Sequence, residues 1–565
     1  MTKISIKPLV DSEAISPETS NHWLTQLLHN RGITKEADIK KFLEPSYDGD
    51  LHDPFLLHDM ERGVERILSA LKNNEKVVIF SDYDCDGIPG AVVLHDFFKT
   101  VGFLNFTNHI PHRHFDGFGL SVEAVEKIKA EQNPTLIITI DCGTGDIEAI
   151  KRAQELGVEV IVTDHHEPKE ELPAAVAIIN PKVGSSYPFT GLCGTAVIYK
   201  LVQALIVLGK FAINAGREKW WLDMVGIATV ADMVPLTDEN RTLAFYGLKV
   251  LRKTRRLGLQ KLFTKQKVEP RFLTEDDIGF TIGPRINAAS RMDNPEDAFV
   301  LLSTTDFGEA DSIVTHLEKI NTARKTAVAQ ITKDLNKRLQ LEIKEPEIFV
   351  MGDSAWRPSL VGLAANKLAE ETRKPAFLWG QDGKGKFKGS CRSGGVMSVV
   401  NIMSAAPELF TEFGGHHMAG GFTVREEKIF DFSRALSEAF EKLGKAAAVD
   451  EAVEVDMELT LDLLDDDLLL AQKQCAPFGL GNPKPIYLFK NVIPKLVTTF
   501  GKTNEHTKLV FSTSGIAKEA IAFFKLPKDF SQMPKANLPC TLLAHLEEGY
   551  FLGRQQIRLR VVDVL

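Results

Sequence analysis

The sequence predicts an α/β protein of several domains: a parallel-sheet domain, a long connecting helix, a second α/β domain and a C-terminal β-barrel. Three observations carry this prediction. Short apolar runs alternate with helix-like segments, one helical pattern continues without a break, and late segments alternate polar with apolar residues. At 565 residues the chain is also too long for a single hydrophobic core, because cores stop growing at roughly 250–300 residues.

The parallel sheet is predicted from four short runs that are β-branched and apolar along nearly their whole length. The runs are KVVIF (76–80), TLIITI (135–140), VEVIVT (158–163) and VAIIN (176–180). Continuous apolar runs are typical of strands buried on both faces, with the segments between them forming crossover helices. We therefore predict an α/β domain over residues 76–305, preceded by a helical N-terminal extension over residues 1–75.

The remaining boundaries follow from three changes of pattern. Residues 306–343 contain no proline and one glycine, and apolar residues recur at helical spacing, which predicts a connecting helix over 306–345. A glycine-rich α/β region follows over 346–448. Strand-like segments in residues 449–565 alternate in polarity and predict a small barrel.

Composition restricts the function only weakly. The net charge of −9 argues against a nucleic-acid binder, but the basic run 251–267 and the acidic run 449–469 create opposite local fields. The basic run fits either a solvated helix face or a nucleic-acid tract. Six scattered cysteines without a CxxC pair argue against a disulfide framework and a zinc ribbon. With no signal-peptide pattern and no apolar stretch that could cross a membrane, we expect a cytoplasmic protein.

Acidic residues and histidines follow three of the predicted strands at the point where each strand ends. They are Asp82, Asp84 and Asp86 after the first run, Asp141 after the second, and Asp164, His165 and His166 after the third. Ligands bind beyond the carboxyl ends of strands in open parallel sheets. Each motif alone could be a solvated or calcium-like turn, or a surface histidine pair, but three in succession predict one site.

Metal ions are the chemistry that this set of side chains favours. Close carboxylates repel one another unless a cation compensates their charge. Oxygen ligands with one or two imidazoles favour Mn²⁺ or Mg²⁺ over structural zinc, and no Walker-type phosphate loop occurs. The number of carboxylates is too high for one ion. We expect two divalent cations about 3.5–4 Å apart, bridged by Asp141.

Eight motifs in order resemble a known family. SDYDCDG, IDCG, TDHH and GIATVADMVPL (226–236) resemble the four motifs of the DHH phosphoesterase superfamily. GFTIGPRINAASRM (279–292), KGSCRSGG, GGHHMAGG and CAPFGLGNPKP (475–485) narrow the resemblance to the RecJ family of single-strand-specific 5′→3′ DNA exonucleases. The resemblance extends over nearly the whole chain. It implies a DHH domain, a DHH-associated domain and a C-terminal oligonucleotide-binding (OB) fold.

The resemblance also implies a role for individual residues at the site. The implied metal ligands are Asp82, Asp84, Asp86, Asp141, His165 and Asp232. His166 is expected to face the scissile phosphate, and Asp164 to orient an imidazole. Without the resemblance, Asp232 in TVADMVPL could equally be the capped end of a helix.

Nucleic-acid contacts are implied at a second set of residues. The set is Arg285, Asn287 and Arg291, which are expected to contact the DNA backbone, and Arg392, Ser393, Gly415 and His416, which are expected to grip the 5′ end. Arginine forks match phosphate geometry. The alternatives are ion-paired core arginines for Arg285 and Arg291, and a structural glycine turn around His416.

The activity that the resemblance implies is metal-dependent degradation of single-stranded DNA to mononucleotides, in DNA repair and recombination. Phe500 and Phe551 of the barrel are candidate stacking platforms. Implied partners are single-stranded DNA, a helicase and a single-strand-binding protein, with a monomeric chain. Two alternatives remain: a DHH-type pyrophosphatase or short-oligonucleotide phosphodiesterase, and a non-catalytic single-strand clamp.

Overall fold

The computed structural model describes residues 3–10, 21–341, 346–444, 452–501, 503–513, 516–551 and 554–565. The chain divides into two compact units. The smaller unit comprises residues 1–51, 235–245 and 450–565, and the larger unit comprises residues 52–234 and 246–449. No helix in the described ranges is both long and apolar enough to cross a membrane.

The chain begins with elements of the smaller unit. They are β1 (Ile4–Ile6), α1 (His22–His29) and α2 (Glu36–Leu43). The chain then enters the larger unit, whose first sheet and flanking helices are α3 (Met60–Asn73), β2 (Val77–Ser81), α4 (Gly87–Thr100), β3 (Phe106–His109), α5 (Val122–Gln132), β4 (Leu136–Ile140), α6 (Ile147–Glu155), β5 (Glu159–Thr163), β6 (Ala177–Ile179) and α7 (Gly194–Gly209).

Strands β2 to β6 form one parallel sheet in the order β3-β2-β4-β5-β6. The sequence predicts a parallel sheet and four of these five strands. Strands β2 and β4 are buried along their whole length. One face packs against α5 and α6 through Val78, Phe80 and Ile137. On the other face, a Cβ added to Gly90 of α4 would stand 2.7 Å from Ile140 of β4, so glycine permits the close approach. Strand β3 has no continuous apolar run, which is why the sequence pattern did not reveal it.

Helices follow the parallel sheet along the chain. They are α8 (Leu222–Ala231), α9 (Asp238–Leu251), α10 (Leu257–Gln266), α11 (Glu275–Asp277), α12 (Gly283–Met292), α13 (Glu296–Ser303) and α14 (Phe307–Leu339). A π-helical turn at Ile278–Ile282 leads into α12. Helix α14 is the predicted long helix: it has 33 residues, and the side chain of Asp306 caps its first turn by accepting the Glu309 N–H at 2.7 Å.

The second α/β region has a mixed sheet. Its elements are β7 (Phe349–Asp353), α15 (Pro358–Thr372), β8 (Ala376–Gln381), β9 (Phe387–Arg392), α16 (Val399–Ser404), β10 (Phe410–Gly415), β11 (Ala419–Val424) and α17 (Phe432–Lys442). The strand order is β10-β11-β9-β8-β7, and only the β7–β8 pair is parallel. This sheet, together with α14, agrees with the predicted second domain and connecting helix.

The smaller unit contains a seven-stranded sheet in the order β13-β14-β18-β19-β17-β16-β15. Its C-terminal elements are β12 (Val453–Val455), β13 (Met457–Glu458), α18 (Asp466–Gln474), β14 (Tyr487–Val492), β15 (Leu496–Phe500), β16 (His506–Thr513), β17 (Ile516–Ala522), β18 (Cys540–Phe551) and β19 (Arg554–Val564). Strand β1 pairs in parallel with β12. Leu24, Leu27 and Leu28 of α1 enter the core of this sheet.

The residues predicted as one N-terminal extension, 1–75, are thus shared between the two units. Residues 1–51 belong to the smaller unit because β1 pairs with β12 and the apolar side of α1 packs into the core of the seven-stranded sheet. Helix α3 packs on the parallel sheet instead. A Cβ added to its Gly63 would stand 2.8 Å from Ile179 of β6.

Candidate metal centre

The three polar strand ends predicted from the sequence meet at the carboxyl edge of the parallel sheet. Their ligand atoms form three groups, and within each group all atoms lie within 4.8 Å of one another. The groups are Asp82 with Asp84 and Asp141, Asp86 with His165 and Asp232, and Asp141 with His165 and His166. Asp141 and His165 each occur twice, so the groups form one continuous cluster.

The loop after β2 is folded by its own carboxylates. Asp84 Oδ1 accepts the backbone N–H groups of Asp86 at 2.8 Å and of Gly87 at 3.1 Å. Gly87 is required because a Cβ there would lie 2.5 Å from the carbonyl oxygen of Asp82. Asp86 then fixes the loop to α7, since its carboxylate accepts the N–H groups of Gly194 at 2.6 Å and Thr195 at 2.7 Å.

Asp141 occupies a strained backbone position directly after β4, with φ at 62° in the left-handed region. Gly194 of α7 lies against its side chain, where a Cβ would stand 2.6 Å from Asp141 Cβ. Asp141 Oδ1 and Asp82 Oδ1 are buried, and neither has a hydrogen-bond partner within the described part of the chain. Burial, and then the neighbouring carboxylates, raise the pKa of Asp141 and of Asp82 well above the usual range. Two buried oxygens without donors fit a bound cation.

His165 lies in the middle of the cluster. Its Nε2 is 3.2 Å from Asp141 Oδ1, 3.7 Å from Asp86 Oδ2 and 3.7 Å from Asp232 Oδ2. Burial lowers the pKa of His165, which favours the neutral imidazole. A neutral ring nitrogen that faces three carboxylates has the donor chemistry of a metal ligand.

His166 has a different environment from His165. Its Nδ1 donates to Asp164 Oδ1 at 2.7 Å, and its side chain is 38% exposed. Burial alone lowers the pKa of His166, but the Asp164 hydrogen bond and charge outweigh it and raise the pKa to about 9. Asp164 also accepts the backbone N–H groups of His165 and Thr144. Burial opposes ionisation of Asp164, yet the hydrogen bond and charge of His166, followed by the hydrogen bonds from Thr144, hold its pKa below the usual range.

Asp232 reaches the cluster from the C-terminal end of α8. It is the C-cap of that helix and its side chain is 26% exposed. Burial, followed by the charges of Asp86 and Asp84, raises the pKa of Asp232 to about 9. The sequence left two alternatives for Asp232, the capped end of a helix and a metal ligand. In the structure this residue ends α8 and also lies in the ligand cluster, so both descriptions apply.

A cluster of arginines lies beside the acidic groups. Burial, and then the charges of Arg113, Arg324 and Arg392, lower the pKa of Arg291 to about 9. The Arg113 guanidinium stands 4.9 Å above the ring of Tyr83, within the loop after β2. Concentrated positive charge next to a metal centre suits a phosphate. Sequence reasoning selected Arg291 and Arg392 but missed Arg113 and Arg324, because neither lies in a motif that it used.

Arg285 and Asn287, for which DNA contacts are predicted, both form hydrogen bonds within the protein. Arg285 is buried, and its guanidinium bonds to Glu318 at 3.0 Å, to Gln266 at 2.5 Å and to backbone carbonyls of the π-helical turn. It matches the alternative of an ion-paired core arginine, because no N–H group of its fork is left for a DNA phosphate. Asn287 Oδ1 accepts the Cys85 N–H at 3.1 Å, so this side chain supports the metal loop.

The other predicted DNA contacts surround Arg392 in the second sheet. Arg392 pairs with Ala419 of β11. Ser393 is buried, and its hydroxyl faces inward to the Gly395 N–H and to Met418 Sδ. Gly415 and His416 are exposed at the tip of the β10–β11 hairpin, where the His416 N–H donates to the Ala419 carbonyl at 2.8 Å. Gly415 has φ at 142°, so glycine is needed for this turn.

A further group of potential ligands, Asp293, Asp297 and His316, lies among α12, α13 and α14. His316 Nε2 is 3.4 Å from Asp293 and 3.1 Å from Asp297. Since the imidazole already pairs with both carboxylates and the group is largely exposed, a surface ion pair explains it.

Comparison with known proteins connects this geometry to characterised domains. Residues 76–229 match the DHH family N-terminal domain, residues 345–442 the DHHA1 domain and residues 455–563 the RecJ OB domain. Together these matches cover well over half of the chain.

Two curated relatives carry the name single-stranded-DNA-specific exonuclease RecJ. The Bacillus subtilis protein is 33% identical over 523 residues, which are 92% of this chain. The chain spans 64% of the length of that relative. The Haemophilus influenzae protein is 29% identical, with 97% of each chain covered.

Solved structures share the architecture. RecJ from Thermus thermophilus in complex with Mn²⁺ superposes with a TM-score of 0.82 at 24% identity, covering 100% of this chain and 79% of that chain. A second structure, exonuclease RecJ bound to manganese, has a TM-score of 0.60 at 29% identity over 70% of this chain and 98% of that chain. The fold prediction, an α/β chain with a parallel-sheet DHH domain, a DHH-associated domain and a C-terminal OB domain, is confirmed.

Proposed function

The chain belongs to the RecJ family of the DHH phosphoesterases, and from that premise we propose that it is a metal-dependent hydrolase of single-stranded DNA. It degrades the strand from the 5′ end to mononucleotides, in DNA repair and recombination. One observation carries the proposal: the groups of ligand atoms are connected to one another through Asp141 and His165, and the buried Asp82 Oδ1 and Asp141 Oδ1 have no donor in the described part of the chain.

Two divalent cations, Mn²⁺ or Mg²⁺, are proposed to bind this cluster. The first ligand group is Asp82, Asp84 and Asp141, and the second is Asp86, His165 and Asp232, with Asp141 3.2 Å from His165. Hard carboxylate oxygens with one imidazole suit these ions. When bound, such a pair would supply an activated water and would offset the negative charge that develops on the phosphate in the transition state.

The proposed work of the protein itself is to hold the substrate and to fix the ligands. Asp86 and Asp84 are held by backbone N–H groups, so their remaining lone pairs keep a set direction. His166, kept cationic by Asp164, is placed to donate from its exposed ring edge to a phosphate oxygen of the strand. Its Nδ1 is occupied by Asp164, which leaves Nε2 for that contact.

The arginine cluster is proposed to bind the strand next to the scissile bond. Arg291 donates to the Ser359 carbonyl at 2.7 Å, which fixes its direction. Burial lowers its pKa, as expected of a cation that has no carboxylate partner among the described residues. Arg113 and Arg392 add to the same positive field. A phosphate would relieve this like-charge repulsion.

The OB domain is proposed to hold the single strand further from the cleavage position. Phe500, one candidate platform, has its ring 5.0 Å from His506 and 6.4 Å from Phe523. The side chain of Phe551, the other candidate, lies outside the described residues. We also propose that the chain is a monomer in the cytoplasm and that it works with a helicase and a single-strand-binding protein. The six cysteines support a reducing location, since all are free and buried.

The test uses a 5′-phosphorylated oligonucleotide, single-stranded and as a blunt duplex, with Mn²⁺. We expect mononucleotides from the 5′ end of the single strand only, and none with Asp141→Ala. Asp311→Ala, a change at an exposed aspartate of α14, is the matched control and should retain full activity. Retention of the oligonucleotide without cleavage would support the non-catalytic clamp. Hydrolysis of pyrophosphate in preference to the long strand would support the pyrophosphatase alternative.

A further inference from the structure

A second cavity lies away from the metal centre. It has a volume of about 510 Å³, and its lining residues come from the C-terminal end of α4, the turn before α8, the start of α10 and the end of α13. This volume is within the usual range of small-molecule sites, roughly 300–1,000 Å³. The cavity includes Arg255 and Arg256 of the basic run 251–267, to which the proposed function assigns no role.

Two helices connect the cavity to the metal centre, and the sites lie at opposite ends of them. Asp86 begins α4 at the metal centre, and Asp96, Lys99 and Thr100 line the cavity near its other end. Helix α8 begins next to the cavity at Leu222 and ends at Asp232 in the metal centre. With 14 residues, α4 separates its two ends by about 20 Å.

The floor of the cavity is a rigid ion-pair network. Arg256, whose side chain is 13% exposed, donates to Asp223 at 2.8 Å and to the Leu302 carbonyl at 2.9 Å, and it pairs with Asp96 at 3.0 Å. Gly258 brings this segment close to α13, where a Cβ would stand 1.8 Å from the Leu301 carbonyl. Both acidic residues of the lining are therefore neutralised by the protein itself.

The rim of the cavity is positively charged. Lys99, Arg217 and Arg255 line it, and within the residues that the structure describes none of them forms an ion pair with a carboxylate. Helix α10 has ten residues and no side-chain cap at its first turn, which adjoins the cavity at Leu257. Three cations and uncapped N–H groups favour an anion.

A flat surface for a ring adjoins these cations. The guanidinium of Arg255 lies 4.0 Å from the ring centroid of Trp220, and both residues line the cavity. Nucleic-acid bases stack on aromatic rings and on arginine planes. A planar stacking surface and an anion site in one concavity match the two parts of a nucleotide. A carboxylate peptide without a ring would leave the Trp220–Arg255 pair unused.

We propose that this cavity is a binding site for a nucleoside monophosphate, with the base on the Trp220–Arg255 pair and the phosphate between Lys99, Arg217 and the start of α10. Binding at this cavity requires no step of the proposed exonuclease reaction. The site is therefore open to a test in which neither metal nor DNA is present, and loss of the proposed activity would not affect the result.

The test is titration calorimetry of the full-length chain with deoxyadenosine monophosphate in a chelating buffer. All titrations use an Arg392→Gln background, which weakens the arginine cluster near the metal centre as a competing phosphate site. We expect one saturable site per chain with a dissociation constant below about 1 mM, corresponding to about −4 kcal/mol. Arg255→Glu should weaken binding at least tenfold. Lys253→Glu is the matched control, an exposed charge reversal in the same basic run outside the cavity lining, and should leave binding unchanged.

Two further probes separate the parts of the ligand. Deoxyadenosine and inorganic phosphate should each bind at least tenfold more weakly than the nucleotide. The proposal is overturned if no saturable binding occurs, or if Arg255→Glu behaves like Lys253→Glu. It is also overturned if inorganic phosphate alone binds as tightly as the nucleotide, because the stacking surface would then have no part in recognition.

Discussion

Helices α4 and α8 carry carboxylates near both of their ends, and the two ends compensate that charge in opposite ways. At the cavity end, Asp96 and Asp223 pair with one arginine, Arg256, at 3.0 and 2.8 Å. At the metal end, no lysine or arginine of the described residues forms an ion pair with the acidic cluster, and Asp82 and Asp141 each have an oxygen without a donor. At the cavity end, the carboxylate charge is balanced by a residue of the chain. At the metal end, it is balanced only when a cation binds from solution.

This difference shows how to separate a structural ion-pair network from a ligand site. Both contain buried aspartates, and burial raises the pKa of Asp223 as it does that of Asp141. A raised pKa alone therefore does not identify the site. The difference is the partner, since a buried charge paired inside the protein needs nothing more, whereas a group of unpaired like charges does.

The largest expected effect is the loss of activity with Asp141→Asn. The substitution removes the ligand that is shared by two groups of the cluster, so the cleavage rate should fall at least about a thousandfold, or about 4 kcal/mol in activation free energy. In chelating buffer the variant should unfold at the same urea concentration as the wild type or a higher one, because one of several like charges is gone. An unfolding midpoint clearly below the wild type would contradict the comparison.

Asp223→Asn tests the cavity end. The change leaves the largely enclosed Arg256 guanidinium with less compensation, which should cost about 3 kcal/mol in the free energy of unfolding. The expected readout is a lowered urea midpoint. Asp311→Asn, an exposed aspartate whose side chain is 70% accessible, is the control and should have almost no effect. If Asp223→Asn left stability unchanged but abolished cleavage, the cavity end would not be a structural ion-pair network.

Mn²⁺ should stabilise the wild type, because it binds only the folded cluster. At a concentration one hundred times its dissociation constant, the gain is about 2.7 kcal/mol. The comparison predicts that this gain shrinks in Asp141→Asn and is unchanged in Asp223→Asn. Calorimetric scans of the three proteins with Mn²⁺ and with chelator measure it. An equal loss of the gain in both variants would mean that the cation does not act at the strand ends.

Sequence patterns predicted the sheet and most of the acidic cluster for a simple physical reason. Strand ends in a parallel sheet lie at one edge, so Asp82, Asp141 and Asp164 had to converge once the strands were identified. Asp232 is separate from these strands in sequence, and only the family motif pointed to it. Arg113 follows β3, the strand with no apolar run, so its position could not be read from the pattern.

The sequence pattern did not indicate the direction of individual side chains. The family motif around α12 indicated that Arg285 and Asn287 contact DNA. Periodicity, however, does not show whether a polar side chain of a helix faces solvent or a neighbouring loop. The structure turns Arg285 to Glu318 and Asn287 to the Cys85 N–H. Likewise, residues 1–51 have a helical pattern, yet only the pairing of β1 with β12 shows where they pack. Such partners are far apart in sequence.

Asn287→Ala is the smallest expected effect, and it decides between the predicted DNA contact and the observed support of the metal loop. The change leaves the Cys85 N–H without its acceptor, which costs about 1 kcal/mol. If Asn287 positions the acidic loop, kcat and the apparent affinity for Mn²⁺ should fall severalfold while KM for the oligonucleotide stays the same. A raised KM with unchanged metal affinity would instead restore the DNA contact. Asn287→Asp, which keeps an oxygen acceptor for the same N–H, should recover most of the lost kcat, and failure of that rescue would argue against positioning as the cause.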